Sequence, residues 1–349
     1  MRIQKEELAQ KLNKIKGAVP KKAANPVLQG ILVKDGYLIA SNTEMTIKAK
    51  IEGIEGEPFI IPDRAFDLIN NLPDGEMEIS AASNNVITIK ADRIRNKYQT
   101  MDPGQFPMTA SQEEGSEMTI QAGTLLGSMR RVSYAVPAQG SNPLMSSLCL
   151  QAGGGKLNFV GLDGHVLAWD RVDYDGEFEL LIPKNTVDKL KSLGMSGDVQ
   201  IRHSKTGAVF VTEDFEVYTR LVEGEYFTYR TLFKELPLHT AVSRMALLDA
   251  MTRAKMCAEE RCPVRFELKG RFLNLSIKDK TTDYHETVGL QTDIAEALTI
   301  GFDARLVSET LKAFDCENIR ISFGSPKMPM TIESEDSDFK AIVLPVAIK

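Results

Sequence analysis

Ala18-Val19-Pro20 is followed by four residues and then Asn25-Pro26; Ala135-Val136-Pro137 is followed by four residues and then Asn142-Pro143. Five identities at one fixed offset, 117 residues, mark an internal repeat. The segments ahead of the two motifs agree. Leu8, Leu12, Ile15 and Val19 recur as Leu125, Met129, Val132 and Val136, a 4, 3, 4 spacing that predicts one apolar face of an α-helix. Each helix is expected to stop near its proline, which cannot continue it. Behind the motifs, Val27–Val33 and Leu148-Cys149-Leu150-Gln151 read as strands with alternating pattern.

The second half of the unit repeats as well. Phe59-Ile60-Ile61-Pro62 leads into Asp63–Leu72, and Leu180-Leu181-Ile182-Pro183 leads into Lys184–Leu193. Each predicts a strand, a proline at a helix start and a short amphipathic helix. A third copy has Leu298–Phe302 before Asp303–Leu311. Its leading helix is expected over Ser243–Met256, with Met245, Leu248, Met251 and Thr252 facing inward, and Cys262-Pro263 stands in for Asn-Pro. The 349 residues therefore hold three similar domains, 1–110, 117–235 and 239–349, with polar boundaries at Thr109–Ser116 and near Lys234–His239. Two helices per domain packed on antiparallel sheets is an α+β architecture.

Composition removes whole classes of function. Apolar residues make up 43% and charged residues 26%, as in ordinary globular proteins. No apolar run approaches the roughly 20 residues of a membrane helix, and the N-terminus lacks the apolar core of a secretory signal. No membrane partner and a cytoplasmic location are expected. Cys149, Cys257, Cys262 and Cys316 form no Cys-x-x-Cys pair, so free thiols are expected and no metal site. The four histidines are scattered, and no Gly-x-Gly-x-x-Gly, Walker or Gly-x-Ser-x-Gly motif occurs. Gly153–Gly155, between two apolar runs, predicts a hairpin turn rather than a phosphate cradle. No cofactor and no catalytic residue is expected.

The net charge of −6 argues at first against nucleic acid. Its distribution argues the other way. Leu8–Lys34 holds six lysines (Lys11, Lys14, Lys16, Lys21, Lys22, Lys34) and no acid. Met118–Leu162 holds Arg130, Arg131 and Lys156, again without acid. The third copy mixes Arg244, Arg253, Lys255 and Arg261 with Asp249, Glu259 and Glu260. The second helices add Arg64, then Lys184, Lys189 and Lys191, then Arg305 and Lys312. Acid gathers elsewhere: Glu52/Glu55/Glu57, Glu113/Glu114/Glu117, Asp173/Asp175/Glu177/Glu179 and Glu333/Glu335/Asp336/Asp338. A charge run is usually a solvated face, but equivalent helices of a repeat face one way and join their charges into a stripe. Such a stripe suits phosphate contact without sequence choice.

These residues resemble a known family, the bacterial DNA polymerase III beta subunit, or sliding clamp. Leu221-Val222-Glu223-Gly224-Glu225-Tyr226-Phe227-Thr228-Tyr229-Arg230 is similar to the family's L-I-E-G-x-F-P-x-Y-R segment. Leu162–Ala168 resembles T-D-G-H-R-L-A, Phe314–Arg320 the segment after the third domain's second helix, and Ala341–Val346 the terminal Y-V-x-M-P-M. The resemblance implies the DNA clamp fold: three domains per subunit and two subunits paired head to tail in a ring around duplex DNA. Implied pore residues are Lys11, Lys14, Lys21, Lys22, Arg130, Arg131, Lys184, Lys189, Lys191, Arg244, Arg253 and Lys255. An implied pocket for short peptides of polymerase and clamp loader comprises Met145, Leu162, Gly164, His165, Val166, Leu167, Ile342, Leu344, Pro345 and Val346. Leu162 replaces the family's usual Thr and Val166 its usual Arg, which makes that pocket more apolar. The implied dimer contact sets Leu68, Leu72 and Phe106 against the other subunit's copies of Met256 and Cys257.

Two other readings compete. A nuclease or hydrolase on this fold needs clustered carboxylates; the best run, Asp173/Asp175/Glu177/Glu179, reads as a solvated hairpin. A clamp-fold adaptor, or a phage or mobile-element clamp that does not serve the host replicase, would keep the pocket.

Overall fold

The structure is a computed structural model that describes residues 1–54, 56–108, 115–140, 142–257, 263–278 and 282–348. Glu55, the boundary residues 109–114 with Glu113 and Glu114, and Glu259, Glu260, Arg261 and Cys262 lie outside the described residues. The helices are α1 (Lys5–Ile15), α2 (Phe66–Asn70), α3 (Ala122–Ser133), α4 (Lys184–Leu193), α5 (Arg244–Cys257) and α6 (Ala304–Lys312).

The chain divides into two compact units, one of Met1–Leu126 with Asn185–Leu221, the other of Gly127–Lys184 with Val222–Lys349. The first holds an eight-stranded antiparallel sheet ordered Phe59–Pro62, Gly30–Lys34, Tyr37–Ser41, Met45–Lys50, Phe215–Arg220, Gly207–Val211, Asp198–His203, Ser116–Gln121. Its middle seam joins strands far apart in sequence, with Ile47 opposite Val217. A Lys48–Glu216 ion pair of 2.7 Å crosses the seam. A smaller sheet holds Arg2–Gln4, Glu76–Ala82, Val86–Ala91 and Ile94–Gln99.

The second unit repeats the plan: Phe178–Pro183, Ser147–Gly153, Lys156–Leu162, Val166–Asp173, Lys340–Val343, Met330–Ser334, Asn318–Phe323, Leu238–Ser243. Here the seam sets Leu167 opposite Ile342. A long hairpin, Val264–Lys278 with Asp283–Phe302, forms its other sheet. Gly153–Gly155 is the expected turn: Gly154 and Gly155 take φ of +63° and +75°, the pair of left-handed residues that a tight hairpin needs.

The helical periodicity is realised on α1 and α3, where Leu8, Leu12 and Ile15, and Leu125, Met129 and Val132, are buried. Three expectations need correction. Val27–Val33 is not one strand: Pro26–Gln29 forms a 3-10 turn, begun by Asn25 accepting from the Val27 N–H, and the strand starts at Gly30. Nor does that strand alternate. Gly30–Val33 is buried throughout, because a helix covers one side of the sheet and the 100–106 segment packs on the other. On α5 the inward residues are Leu247, Ala250, Met251 and Ala254, while Met245 is exposed. The alanines let α5 approach its neighbours closely, and a pattern search weighted to large side chains passes over them.

Candidate functional site

In the first unit the ends of α1 and α4 meet reciprocally. A Cβ placed on Gly194, just past α4, would lie 3.5 Å from the Lys14 amine of α1. One on Gly17, just past α1, would lie 2.7 Å from the Lys189 amine of α4. Each lysine thus sits at the carbonyl-rich end of the other helix, where a cation is favoured. Both glycines leave the space the amines fill. Burial, and then the like charge of Lys16, holds the Lys189 amine below the usual lysine range. Lys11 pairs with Asp214 at 2.7 Å, and Lys191 with Asp188. Lys14 is in no ion pair among the described residues; its amine lies 5.3 Å from the centre of the Phe215 ring. Lys21 and Lys22 are exposed.

The same construction in the second unit carries different chemistry. Arg131 occupies the repeat position of Lys14, and it is neutralised twice. It donates to Asp170 at 3.0 Å, whose carboxylate is 2% exposed, and to Asp315 at 3.3 Å. Asp315 stands just past α6, where the first unit has Gly194. The place of Gly17 and Lys189 is taken by Tyr134 beside Thr310. Burial pushes the Tyr134 phenol well above its ordinary range. Arg130 is exposed. Lys14, Lys21, Lys22 and Arg130 are thus candidate cations in no ion pair among the described residues. Lys184 opens α4, half-buried. On α5, Arg253 is held bidentately by Glu286 (3.0 and 2.6 Å), Arg244 donates to the Cys316 carbonyl at 2.8 Å, and Lys255 is exposed.

The apolar candidate residues meet at the seam of the second unit's large sheet. Asp163 makes the turn: its carboxylate accepts from the His165 and Val166 N–H groups at 2.8 and 2.7 Å, and Gly164 adopts φ +85°. The His165 carbonyl accepts from the Leu344 N–H at 2.8 Å. Across the ladder, Val166 faces Val343 and Leu167 faces Ile342. Leu167 and Ile342 are buried on one face of the sheet and form the floor, whereas Val166, the next residue along the strand, is buried on the opposite face. Leu162 packs beside that floor and Met145 lies against Gly164, both half-buried; Pro345 and Val346 are half-buried too, Val346 donating its N–H to the Gly301 carbonyl at 2.9 Å, while Gly164, His165 and Leu344 are exposed.

Sequence reading missed the next row of this surface. Trp169, opposite Lys340, donates its indole N–H to Asn158 at 3.0 Å. The Lys340 amine lies between the Trp169 and Phe233 rings, 4.3 and 4.5 Å from their centres. The signal was available, since Trp169 is the chain's single tryptophan and lies two residues beyond Leu167 on the same strand face.

Of the residues proposed for an interface, Phe106 and Leu72 are buried, Phe106 among Val27, Leu28, Leu32, Ile39 and Ile60. Leu68 is half-buried, Cys257 is a half-buried free thiol, and Met256 is 79% exposed. Cys149 and Cys316 are buried free thiols. Among the described residues no His, Cys, Asp and Glu side chains cluster as a metal site would. None of the described helices is long and apolar enough to cross a membrane.

The chain is 22% identical to the beta sliding clamp of Vibrio cholerae over 367 residues, covering 99% of each. It is 24% identical to that of Halalkalibacterium halodurans over 364 residues, covering 96% of each. The crystal structure of the DNA polymerase sliding clamp from Bacillus subtilis has the same fold, with TM-score 0.93, 21% identity, and 100% and 99% of the two chains covered. Residues 1–110 match the model of the DNA polymerase III beta subunit N-terminal domain, and residues 231–347 that of its C-terminal domain. With more than half of its length matched by those two domains and its whole length aligned to the clamps, the chain belongs, as a divergent member, to the DNA polymerase III beta subunit family.

Proposed function

We infer that this chain is a DNA sliding clamp, the non-catalytic processivity factor that tethers a DNA polymerase to its template. The observation that carries the reading is the match of the two terminal domain models in the phase of the internal repeat, on a chain that aligns end to end with clamps. In this reading the three repeats are the domains 1–110, 117–235 and 239–349. Two subunits close head to tail into a ring around duplex DNA, Met256 being the exposed apolar group that such an interface would cover. The α1/α4 lysines, with Lys21, Lys22 and Arg130, face the phosphates without reading sequence. The patch of Leu162, His165 and Leu344 takes short apolar peptides of polymerase and clamp loader. A linked ring needs no tight contact, so screened and water-mediated contacts suffice and permit sliding. The acidic exterior is compatible with this, and the setting is cytoplasmic.

Retention on DNA tests it. After loading, the protein should stay on nicked circular DNA and leave when that DNA is linearised; equal loss from both would sink topological tethering. Sedimentation should give a dimer of twice 38.7 kDa at micromolar concentration. Nuclease activity with magnesium or manganese should stay at background.

A further inference from the structure

The acidic run 173–179 does not belong to the surfaces above, and it borders a cleft of about 580 Å³ at the free edge of the second unit's large sheet. The edge strand is Phe178–Pro183. Its Leu181 carbonyl points outward, accepting from the Val222 N–H at 2.9 Å. In an antiparallel ladder the direction alternates, so Glu179, two residues earlier, also points its N–H and C=O away from its partner Gln151. Among the described residues no backbone group bonds to them. The cleft beside them is lined by Phe178 and by Tyr226 and Phe227, the last two stacked edge to face at 5.3 Å. The Tyr226 hydroxyl is buried with no hydrogen-bond partner among the described residues. Arg230, the one cation lining the cleft among the described residues, is engaged with Gln151 at 3.0 Å and with the Tyr229 hydroxyl at 3.3 Å. Asp175, Glu177 and Glu179 are exposed, and among the described residues none is in an ion pair, although the Glu179 carboxylate accepts from the Gln151 amide at 2.8 Å.

We propose that this edge is a second docking surface, separate from the apolar patch at the seam, and that its occupant is an extended basic segment of a partner protein. The segment adds to the sheet as a ninth strand, exchanging backbone hydrogen bonds with Glu179. Its lysines or arginines face Glu177 and Glu179. An alternating aromatic or aliphatic side chain enters the cleft beside Tyr226 and Phe227. The charge of the rim selects the occupant: an acidic peptide would meet carboxylates that have no cationic partner, and a purely apolar one would leave them desolvated.

Selection of a randomised twelve-residue peptide library on the full-length protein tests this, with counter-selection on the Glu177→Lys/Glu179→Lys double variant. Both substituted side chains are exposed, and the variant's melting curve should match that of the parent. Recovered peptides should alternate basic with aromatic or aliphatic residues. They should bind Leu344→Glu as well as the parent, and the double variant at least tenfold more weakly. N-methylation of alternate backbone nitrogens in one phase should abolish binding, and in the other phase leave it intact. The proposal is overturned if no peptide survives counter-selection, if survivors lose binding to Leu344→Glu, if they are acidic, or if both methylation phases are tolerated.

Discussion

Lys189 and Arg131 each belong to one of the two helix-end pairs, and their environments assign them different tasks. The folded Lys189 has a pKa below that of the unfolded chain, chiefly through burial. For a lysine this is a cost, carried in full while the amine is charged and relieved only as pH rises through the folded pKa. At pH 7, Lys189→Gln should raise the melting temperature by about 1–3 °C while shortening retention on circular DNA. Calorimetry at pH 7 and pH 10.5 checks the sign, since the gain should shrink at the higher pH. Arg131 is the reverse case. Arg131→Met strands the buried Asp170 carboxylate and should cost about 3 kcal/mol in denaturant unfolding. Adding Asp170→Leu should recover most of it, with DNA retention little changed by either variant. Nothing near Arg131 in sequence announces its neutralisation, for its partners lie 39 and 184 residues away. The concentration of basic residues in the leading segments was legible as composition; which of them are ion-paired was decided by folding.

Elements were legible where punctuation was strong. The Ala-Val-Pro and Asn-Pro motifs located α1, α3 and the turns behind them, because proline and asparagine act through local backbone geometry. The inward face of α5 was not legible, because Ala250 and Ala254 signal packing by being small. The 3-10 turn at Pro26–Gln29 was hidden by the apolar residues Val27 and Leu28, which are buried in either conformation. Close packing also fixes Gly161, in the strand beneath the end of α3. An added Cβ would lie 2.5 Å from the Val132 carbonyl oxygen and 2.8 Å from a Val136 methyl. Backbone cannot yield as a flexible side chain would. Gly161→Ala should therefore cost about 1–3 kcal/mol in chemical denaturation, against a much smaller effect for Gly123→Ala, whose Cβ would meet nothing within 4 Å.

At the scale of the whole molecule, the repeat and the compact unit are different objects. The sequence repeats about every 117 residues, but each eight-stranded sheet is assembled from two repeats. Met45–Lys50 therefore has an open side until Phe215–Arg220 arrives. In a chain ending at residue 200, amides of Met45–Lys50 that bond to the missing strand should exchange at least tenfold faster than in a chain ending at 221. Equal protection in both would show that the first repeat closes on its own. The seam has a further consequence during synthesis. A ribosome making this chain has emitted all of the first repeat, and most of the second, before the first large sheet can be completed. For that interval the nascent chain carries an unpaired strand, Met45–Lys50, whose three fully buried apolar positions have no neighbour on one side. Its two lysines, Lys48 and Lys50, are the groups that would discourage two nascent chains from pairing there. The Lys48–Glu216 pair, read from the finished fold as a tie across the seam, is in the order of synthesis a guard that stands down when its partner strand appears.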